Sequence, residues 1–307
     1  MNKVLFFSLL ALMLASCTQQ QAKVYGRYVP ERKDDFAWEN EYAAFRMYGP
    51  ALKPENPSNG VDLWLKNNPA LVVDTMYGRE LKDMRPYHIN YDGNLDCYKV
   101  AHTAGAGGLV VIADGETYVG GPYDRWEIVE QTPERFVFRL EYDSLLVAGH
   151  ILTETLTITA EAGAMFNKAE VVLRDKDEQI NGELPQLLVG GGIFMHDTVE
   201  RYEIMRELCA VAYAEDALSD KQAARMNYEY NGSTTQGRSY LAVFTPGATL
   251  MGIHDGNLVA VAPYKLGETL TYWFGACWSE WSNGDEAFPT DEDWFEAVKD
   301  ECLKLSD

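Results

Sequence analysis

The densest group of side chains capable of chemistry lies between Arg85 and His102. Two of the chain's five histidines, His88 and His102, fall in this stretch, together with tyrosines, acids, an arginine and a lysine. Each of these polar groups would need a hydrogen-bonding partner if it were buried, so the mixture is poor material for a core. It suits a site that binds a polar ligand and transfers protons.

Three residues of this block are predicted to carry the proton transfer. The ordinary pKa of histidine lies near neutrality, so His88 and His102 are candidate general acid–base groups. Tyr91 is predicted to share the proton path with His88. The alternative for each residue is a structural hydrogen bond within a β-sheet protein.

The same block supplies candidate ligand contacts. Tyr87 can hydrogen-bond sugar hydroxyls, and the cations Arg85 and Lys99 can neutralise a uronate carboxylate. Neutralising that carboxylate makes the C5 proton of the sugar more acidic, which is what β-elimination requires. The alternative for Lys99 is a solvated strand residue. Asp96 is predicted either to take part in the chemistry or to cap a turn.

A second candidate segment runs from Trp38 to Pro50. Strand alternation places Arg46 and Tyr48 on one face and apolar residues on the other. Arginine can hold a carboxylate with two parallel hydrogen bonds, so Arg46 and Tyr48 are predicted ligand contacts. The alternative is a structural ion pair of Arg46 with Glu39 or Glu41, which uses the same fork geometry.

Aromatic residues form a third group. An exposed indole can stack on the C–H face of a pyranose, so Trp126 and Trp278 are predicted to bind sugar. Trp278 and Trp281 stand beside polar residues and are interpreted as a loop lining a groove. Trp273 is assigned to the core, because tryptophan buries a large apolar area.

The remaining histidines and glycines indicate no cofactor and no metal. His150, His196 and His254 lie in separate segments without metal-ligand spacing, and His196 is kept as a reserve site residue. The glycine run after His102 lacks the spacing of a phosphate-binding loop. We therefore predict neither a bound cofactor nor a metal site.

The N-terminus has the pattern of a lipoprotein signal. Lys3 precedes a short apolar run that ends in Leu14-Ala15-Ser16-Cys17, and that run is too short to span a bilayer as a helix. We predict a signal peptide over residues 1–16, lipidation of Cys17 and a tether over 17–25. Surface-exported lipoproteins usually carry an acidic run after the cysteine; none follows Cys17, so we expect an outer-membrane lipoprotein facing the periplasm.

Composition limits the partners. The formal net charge is −21, from 47 acidic against 26 basic residues. Phosphate backbones would be repelled, so nucleic acid is excluded as a partner. The predicted partners are an oligosaccharide ligand and, through the lipid anchor, the outer membrane.

The periodicity predicts an all-β protein. Residues 135–142 and 151–159 alternate apolar and polar side chains, and many further short strands are separated by Gly, Asn and Asp clusters. Regular strand–helix alternation is absent, so we expect one large antiparallel β-sandwich over residues 26–307. Thr290 and the acids after it predict a C-terminal helix, and a second helix is expected over 216–226. The wide spacing of the cysteines favours free core thiols.

Three segments carry a resemblance to a known family: the run from Trp38 to Leu52, the run from Ser58 to Trp64, and the block from Tyr87 to Lys99. They are similar to a Bacteroidetes lipoprotein family that carries a domain-of-unknown-function name. The resemblance implies a role in glycan utilisation, beside enzymes for pectin and other uronate polymers. It also implies a fold like the galactose-mutarotase supersandwich, although fold alone assigns no reaction.

These observations support three hypotheses. The first is a lyase or hydrolase of uronic-acid-containing oligosaccharides, with an unsaturated product marking the lyase. The second is a non-catalytic glycan-binding lipoprotein, which would bind without forming product. The third, argued from the fold resemblance alone, is a sugar mutarotase or epimerase, which anomer exchange would reveal.

Overall fold

The computed structural model describes residues 21–55, 60–83, 86–90, 92–176, 184–197, 200–217 and 236–306. Strands dominate these ranges and pair throughout in antiparallel ladders. The first sheet is built from five strands in chain order: β1 (Tyr25–Val29), β2 (Asp35–Glu39), β3 (Ala43–Met47), β4 (Asp62–Lys66) and β5 (Asn94–Asp96).

Two further sheets follow along the chain. One is formed by β6 (Ala106–Ala113), β7 (Glu116–Tyr118), β12 (Leu187–Phe194), β16 (Leu250–His254) and β17 (Asn257–Tyr264), in the order β16-β17-β12-β6-β7. The largest contains β8 (Arg125–Gln131), β9 (Arg135–Val147), β10 (His150–Glu161), β11 (Phe166–Asp175), β13 (Arg201–Met205), β14 (Ala210–Asp216), β15 (Arg238–Phe244) and β18 (Leu270–Trp278). Its order is β13-β14-β15-β18-β11-β10-β9-β8.

Short elements complete the described chain. They are a hairpin of β19 (Ser282–Asn283) and β20 (Glu286–Ala287), 3₁₀ turns at Pro50–Leu52 and Arg206–Leu208, and the helices α1 (Val73–Leu81) and α2 (Asp291–Ser306). None of the helices in the described ranges is long and apolar enough to cross a membrane.

Apolar faces of the sheets meet in one main core. Trp38 stacks on Phe45 within the first sheet, and Phe36 stacks on Phe138 of the largest sheet. Phe45 also meets Phe274 of the largest sheet edge to face. Successive strand residues point to opposite faces, so each of these strands gives every second residue to this core. The predicted antiparallel, sandwich-like all-β fold is confirmed.

The predicted C-terminal helix is also confirmed. The Thr290 hydroxyl accepts a hydrogen bond from the Asp293 backbone N–H at 3.2 Å, and the Thr290 backbone N–H donates to the Asp293 carboxylate at 3.0 Å. This reciprocal capping satisfies amides that the helix itself leaves unpaired. The second expected helix, 216–226, falls mostly outside the described residues. Cys97, Cys277 and Cys302 are buried free thiols, and Cys209 is a half-buried one.

Helix α1 was not expected from the sequence. It covers the other face of the first sheet, and its N-cap residue Val72 provides no side-chain cap. Glu39 of β2 takes that place, because its carboxylate accepts the backbone N–H groups of Val72 at 2.8 Å and Val73 at 2.9 Å. Lys66 of β4 lies 3.2 Å from the same carboxylate, and both charged side chains are fully buried. Burial raises the pKa of Glu39 and lowers that of Lys66, each opposed by the partner's charge.

We expect Glu39→Ala to lower the free energy of unfolding by about 3–5 kcal/mol, the usual cost of breaking a buried pair. The substitution leaves Lys66 charged and unpaired in the core and strips two helix amides of their acceptor. Urea unfolding measures the effect. Glu268→Ala, which breaks an exposed pair with Lys265, is the control and should cost less than about 1 kcal/mol. Equal losses in the two variants would contradict the role of Glu39.

Candidate functional site

The face of the first sheet beneath α1 carries an unusual set of charges. Arg46 of β3 lies opposite Asp62 of β4 in the register, and Trp64 of β4 lies opposite Asp96 of β5. Because side chains two apart on a strand share a face, these residues project away from the main core. Trp64 belongs to a second, smaller core on this face, together with residues of α1 such as Met76 and Tyr77.

Arg46 is the centre of this group. Its guanidinium, only 3% exposed, contacts the Asp62 carboxylate, lies 3.2 Å from that of Asp96 and 3.7 Å from that of Asp35. It also donates a hydrogen bond to the Tyr87 hydroxyl at 3.0 Å. We call Arg46, these three aspartates, Tyr87 and His88 the Arg46 cluster.

The aromatic rings around Arg46 hold it in place. The guanidinium carbon lies 5.1 Å from the ring centre of Trp64 and 5.3 Å from those of Tyr48 and Tyr87. These distances are within the range of favourable cation–π contacts. Tyr48 is itself buried, and burial raises the pKa of its hydroxyl well above the ordinary value.

The sequence left two roles open for Arg46, and the contacts favour a structural one with different partners. Its ion pairs are with aspartates and not with Glu39 or Glu41. Because it is buried and ion-paired with three aspartates, it positions other groups instead of binding ligand from solvent. Tyr48 and Tyr87, expected as ligand contacts, are likewise buried around it.

His88 connects the cluster to the surface. Its Nδ1 lies 3.0 Å from the backbone oxygen of Asp96 and 3.5 Å from the Asp96 carboxylate, and its side chain is 25% exposed. Burial lowers the pKa of His88, but the charge and hydrogen bonds of Asp96 outweigh burial and raise it above 6.5. Arg46 and His88, far apart in sequence, therefore share one carboxylate.

The two acids nearest Arg46 differ in their proton affinity. Burial raises the pKa of Asp62 to about 7, against the opposing pull of Arg46 and with the help of the Asp96 charge. Burial also acts on Asp96, but His88 and Arg46 outweigh it and lower the pKa of Asp96. Carboxyl groups with divergent pKa values mark candidate donors and acceptors of protons.

Three buried atoms of this face have no hydrogen-bond partner among the described residues: Arg46 Nε, Asp62 Oδ1 and Trp64 Nε1. The sequence did not single out Asp62 or Trp64 as site residues. The signal was present, because Asp62 alternates with the apolar Leu63 and so had to face away from the main core.

Other predicted site residues lie apart from the cluster or outside the described ranges. Lys99 is exposed, and its backbone oxygen lies 2.7 Å from His196 Nε2. His102 is exposed in a bend, and no hydrogen bond within the described residues joins it to the cluster. Arg85, Tyr91 and Cys17 lie outside the described residues.

The reserve candidate His196 is held on both sides. Its Nδ1 lies 2.8 Å from the Glu215 carboxylate and its Nε2 faces the Lys99 carbonyl. The side chain is 3% exposed. This arrangement ties the segment after β12 to β14 and to the chain after β5.

The two tryptophans predicted to bind sugar have different environments. Trp126 on the edge strand β8 is 41% exposed and stacks on Tyr28 at 4.8 Å between ring centres. The assignment of Trp278 to a groove-lining loop is wrong. Trp278 ends strand β18, is 2% exposed and donates its indole N–H to the Gln236 carbonyl at 2.6 Å. Trp281 is buried in the same way and bonds the Glu41 carbonyl.

Within the described ranges, no group of three or more His, Cys, Asp or Glu side chains is arranged to hold a metal ion. Each aspartate of the Arg46 cluster contacts the guanidinium, and Asp96 also contacts the imidazole of His88. Because the imidazole and the Asp96 carboxylate are both titratable, this pair can hold and move a proton.

The model of a family described as Domain of unknown function (DUF4861) matches residues 13–307. The chain is also similar to "Uncharacterized protein P7" of Formosa agariphila, with 25% identity over 293 residues, covering 92% of this chain and 68% of that protein. No solved structure matches significantly.

The raised pKa of His88 predicts a pH dependence of stability. A histidine whose folded-state pKa exceeds its unfolded value, about 6.5, stabilises the fold fully below pH 6.5. That stability is lost as pH rises through the folded-state pKa. We expect the free energy of unfolding, measured in urea at pH 6 and pH 9, to fall more in the native protein than in His88→Gln. Parallel losses in both proteins would show that the histidine titrates alike in the folded and unfolded chain.

Proposed function

The chain belongs to the Domain of unknown function (DUF4861) family, and we propose that it is a periplasmic lipoprotein that acts on carbohydrate. The proposed reaction is cleavage of uronic-acid-containing oligosaccharides, by elimination or hydrolysis. The observation that carries this proposal is the His88–Asp96 pair, in which the imidazole is 25% exposed and the carboxylate is buried against Arg46. An imidazole oriented by a carboxylate is a common arrangement for general acid–base catalysis.

The geometry favours elimination over hydrolysis. Most glycosidases need two carboxyl groups that flank the scissile bond. Asp62 and Asp96 are each about 1% exposed and both contact Arg46, so they are poorly placed to flank a sugar. His88 is the group of the cluster that reaches solvent, and a single base suffices to remove the C5 proton of a uronate.

In the proposed elimination, His88 is the base. Neutral His88 takes the proton from C5 as the C5–H bond breaks, and those electrons form the C4–C5 double bond. The C4–O bond breaks, and the leaving oxygen gains a proton from a second group, for which Tyr91 and His102 are the candidates from sequence. Asp96 stabilises the imidazolium, and Arg46 keeps Asp96 ionised and in position. Arg85 and Lys99 are the candidates to neutralise the substrate carboxylate.

The direct test is incubation with a panel of uronate oligosaccharides, followed by ultraviolet absorbance and mass spectrometry. Elimination gives an absorbing unsaturated product, and we expect His88→Ala to lower kcat by about 10²–10⁴-fold. His254→Ala, on the β16–β17 hairpin, is the matched control and should retain activity. Full activity in His88→Ala would remove His88 from the mechanism, and cleavage without an unsaturated product would favour hydrolysis.

A pH profile tests the role of Asp96. The base form of His88 accumulates as pH rises, so kcat/KM should rise through a limb above pH 6.5. Asp96→Asn removes the carboxylate charge that raises the pKa of His88, whereas burial, which lowers this pKa, remains. We expect the limb to move to lower pH and kcat to fall. An unmoved limb would mean that another group titrates.

The second candidate function is glycan binding without catalysis. It is favoured by the exposed Trp126, which Tyr28 supports from behind as a flat aromatic surface. Aromatic faces of this kind bind sugar rings through their C–H groups. The same panel separates the two functions, since calorimetric binding with no change in substrate mass supports binding alone.

A further inference from the structure

A cleft outside the Arg46 cluster lies beside strands β9 and β10. It has a volume of about 270 Å³ and shares no residue with that cluster. Tyr142, Leu145 and Glu154 line it from the two strands, and Pro122 and Lys53 line it from neighbouring segments.

Two polar side chains occupy core positions in this cleft. Tyr142 of β9 and Glu154 of β10 are cross-strand partners and are 4% and 1% exposed. The residues on either side of Glu154 on the same strand face are Leu152 and Leu156, both fully buried. Glu154 therefore places a carboxyl group on a strand face that is otherwise apolar at this point.

The Tyr142 hydroxyl has no hydrogen-bond partner within the described residues, although it is buried. Burial and the nearby charge of Glu154 raise the pKa of this hydroxyl well above its ordinary value. The hydroxyl therefore stays protonated and can donate to a group that enters the cleft.

The backbone beside this pair is irregular. Leu152 pairs with Leu145 and Glu154 pairs with Tyr142, so β9 contains one extra residue at Asp143–Ser144. Such bulges redirect side chains and are enriched beside binding sites. Asp143 and Ser144 both line the cleft.

The charges at the rim are paired with one another. Asp124 contacts Lys53 and accepts the backbone N–H of Asp143 at 2.8 Å. Arg125 holds the carboxylate of Asp143 at 2.6 Å and 2.8 Å. The lining contains three carboxylates and one ammonium group, so an anionic ligand would be repelled.

We infer that this cleft binds one uncharged, polyhydroxylated ring, such as a neutral monosaccharide unit. A ligand hydroxyl can accept from Tyr142 and donate to Glu154, while Leu145 and Pro122 contact the C–H face of the ring. The volume lies just below the range of about 300–1,000 Å³ for ligand pockets, which fits one ring and not a polymer. This inference does not depend on the chemistry proposed for His88.

The test is calorimetric titration of the full chain with methyl glycosides of neutral hexoses, pentoses and 6-deoxyhexoses, with glucosamine and glucuronate as charged comparisons. We expect at least one neutral glycoside to bind, and Tyr142→Phe and Glu154→Gln each to weaken it at least 5-fold. Tyr202→Phe removes an exposed hydroxyl from β13, at the opposite edge of the sheet, and should leave the affinity unchanged. His88→Ala should also leave it unchanged, which separates this site from the proposed catalytic one.

Several results would overturn the inference. These are no binding of any neutral glycoside at tens of millimolar, binding of glucosamine alone, or loss of binding in His88→Ala. An unchanged affinity of Tyr142→Phe for the neutral glycoside would also overturn the inference. Tyr142→Phe keeps the aromatic ring and removes only a hydroxyl that has no partner within the described residues, so this variant should fold with an unchanged melting temperature. If Glu154→Gln does not fold, the affinity of Tyr142→Phe alone tests the inference.

Discussion

The buried guanidinium of Arg46 is the constraint on which the first sheet depends. Arginine does not lose its proton under protein conditions, so a covered Arg46 must be compensated by other charges. Asp35, Asp62 and Asp96 come from β2, β4 and β5, three of the four other strands of that sheet, and converge on it. These contacts require one register of the three strands relative to β3. In that register, Asp96 also lies within contact distance of His88.

The same charge explains why two similar acids behave differently. Arg46 contacts both Asp62 and Asp96, but the imidazole of His88 lies beside Asp96. Asp96 is therefore the better place for a negative charge, and Asp62 is the better place for a proton. In this network, Asp62 binds a proton more readily than Asp96, and both carboxyl groups lie beside the same guanidinium.

Much of the fold could be predicted from local pattern. The alternation of apolar and polar residues predicted the strands, and it placed Arg46 and Phe45 on opposite faces of the sheet. Thr290 and the acids that follow it predicted α2. Helix α1 escaped prediction because its cap comes from Glu39, 34 positions away. Trp278 escaped because its polar neighbours belong to the turn after β18, not to its own environment. The site was predicted in part, because His88 and Arg46 were named as site residues and Asp96 was considered. That Asp96 joins the two, and that Asp35 and Asp62 also contact Arg46, depends on strand register, which local sequence does not encode.

The dependence of α1 on Glu39 has a consequence for the order of folding. A nine-residue helix is too short to persist alone in water, and this one lacks a capping side chain of its own. Its first turn gains acceptors only after β2 has paired and Glu39 has turned toward it. The helix should therefore form late, as a cover that closes over an assembled sheet, and mutations within it should speed unfolding more than they slow folding.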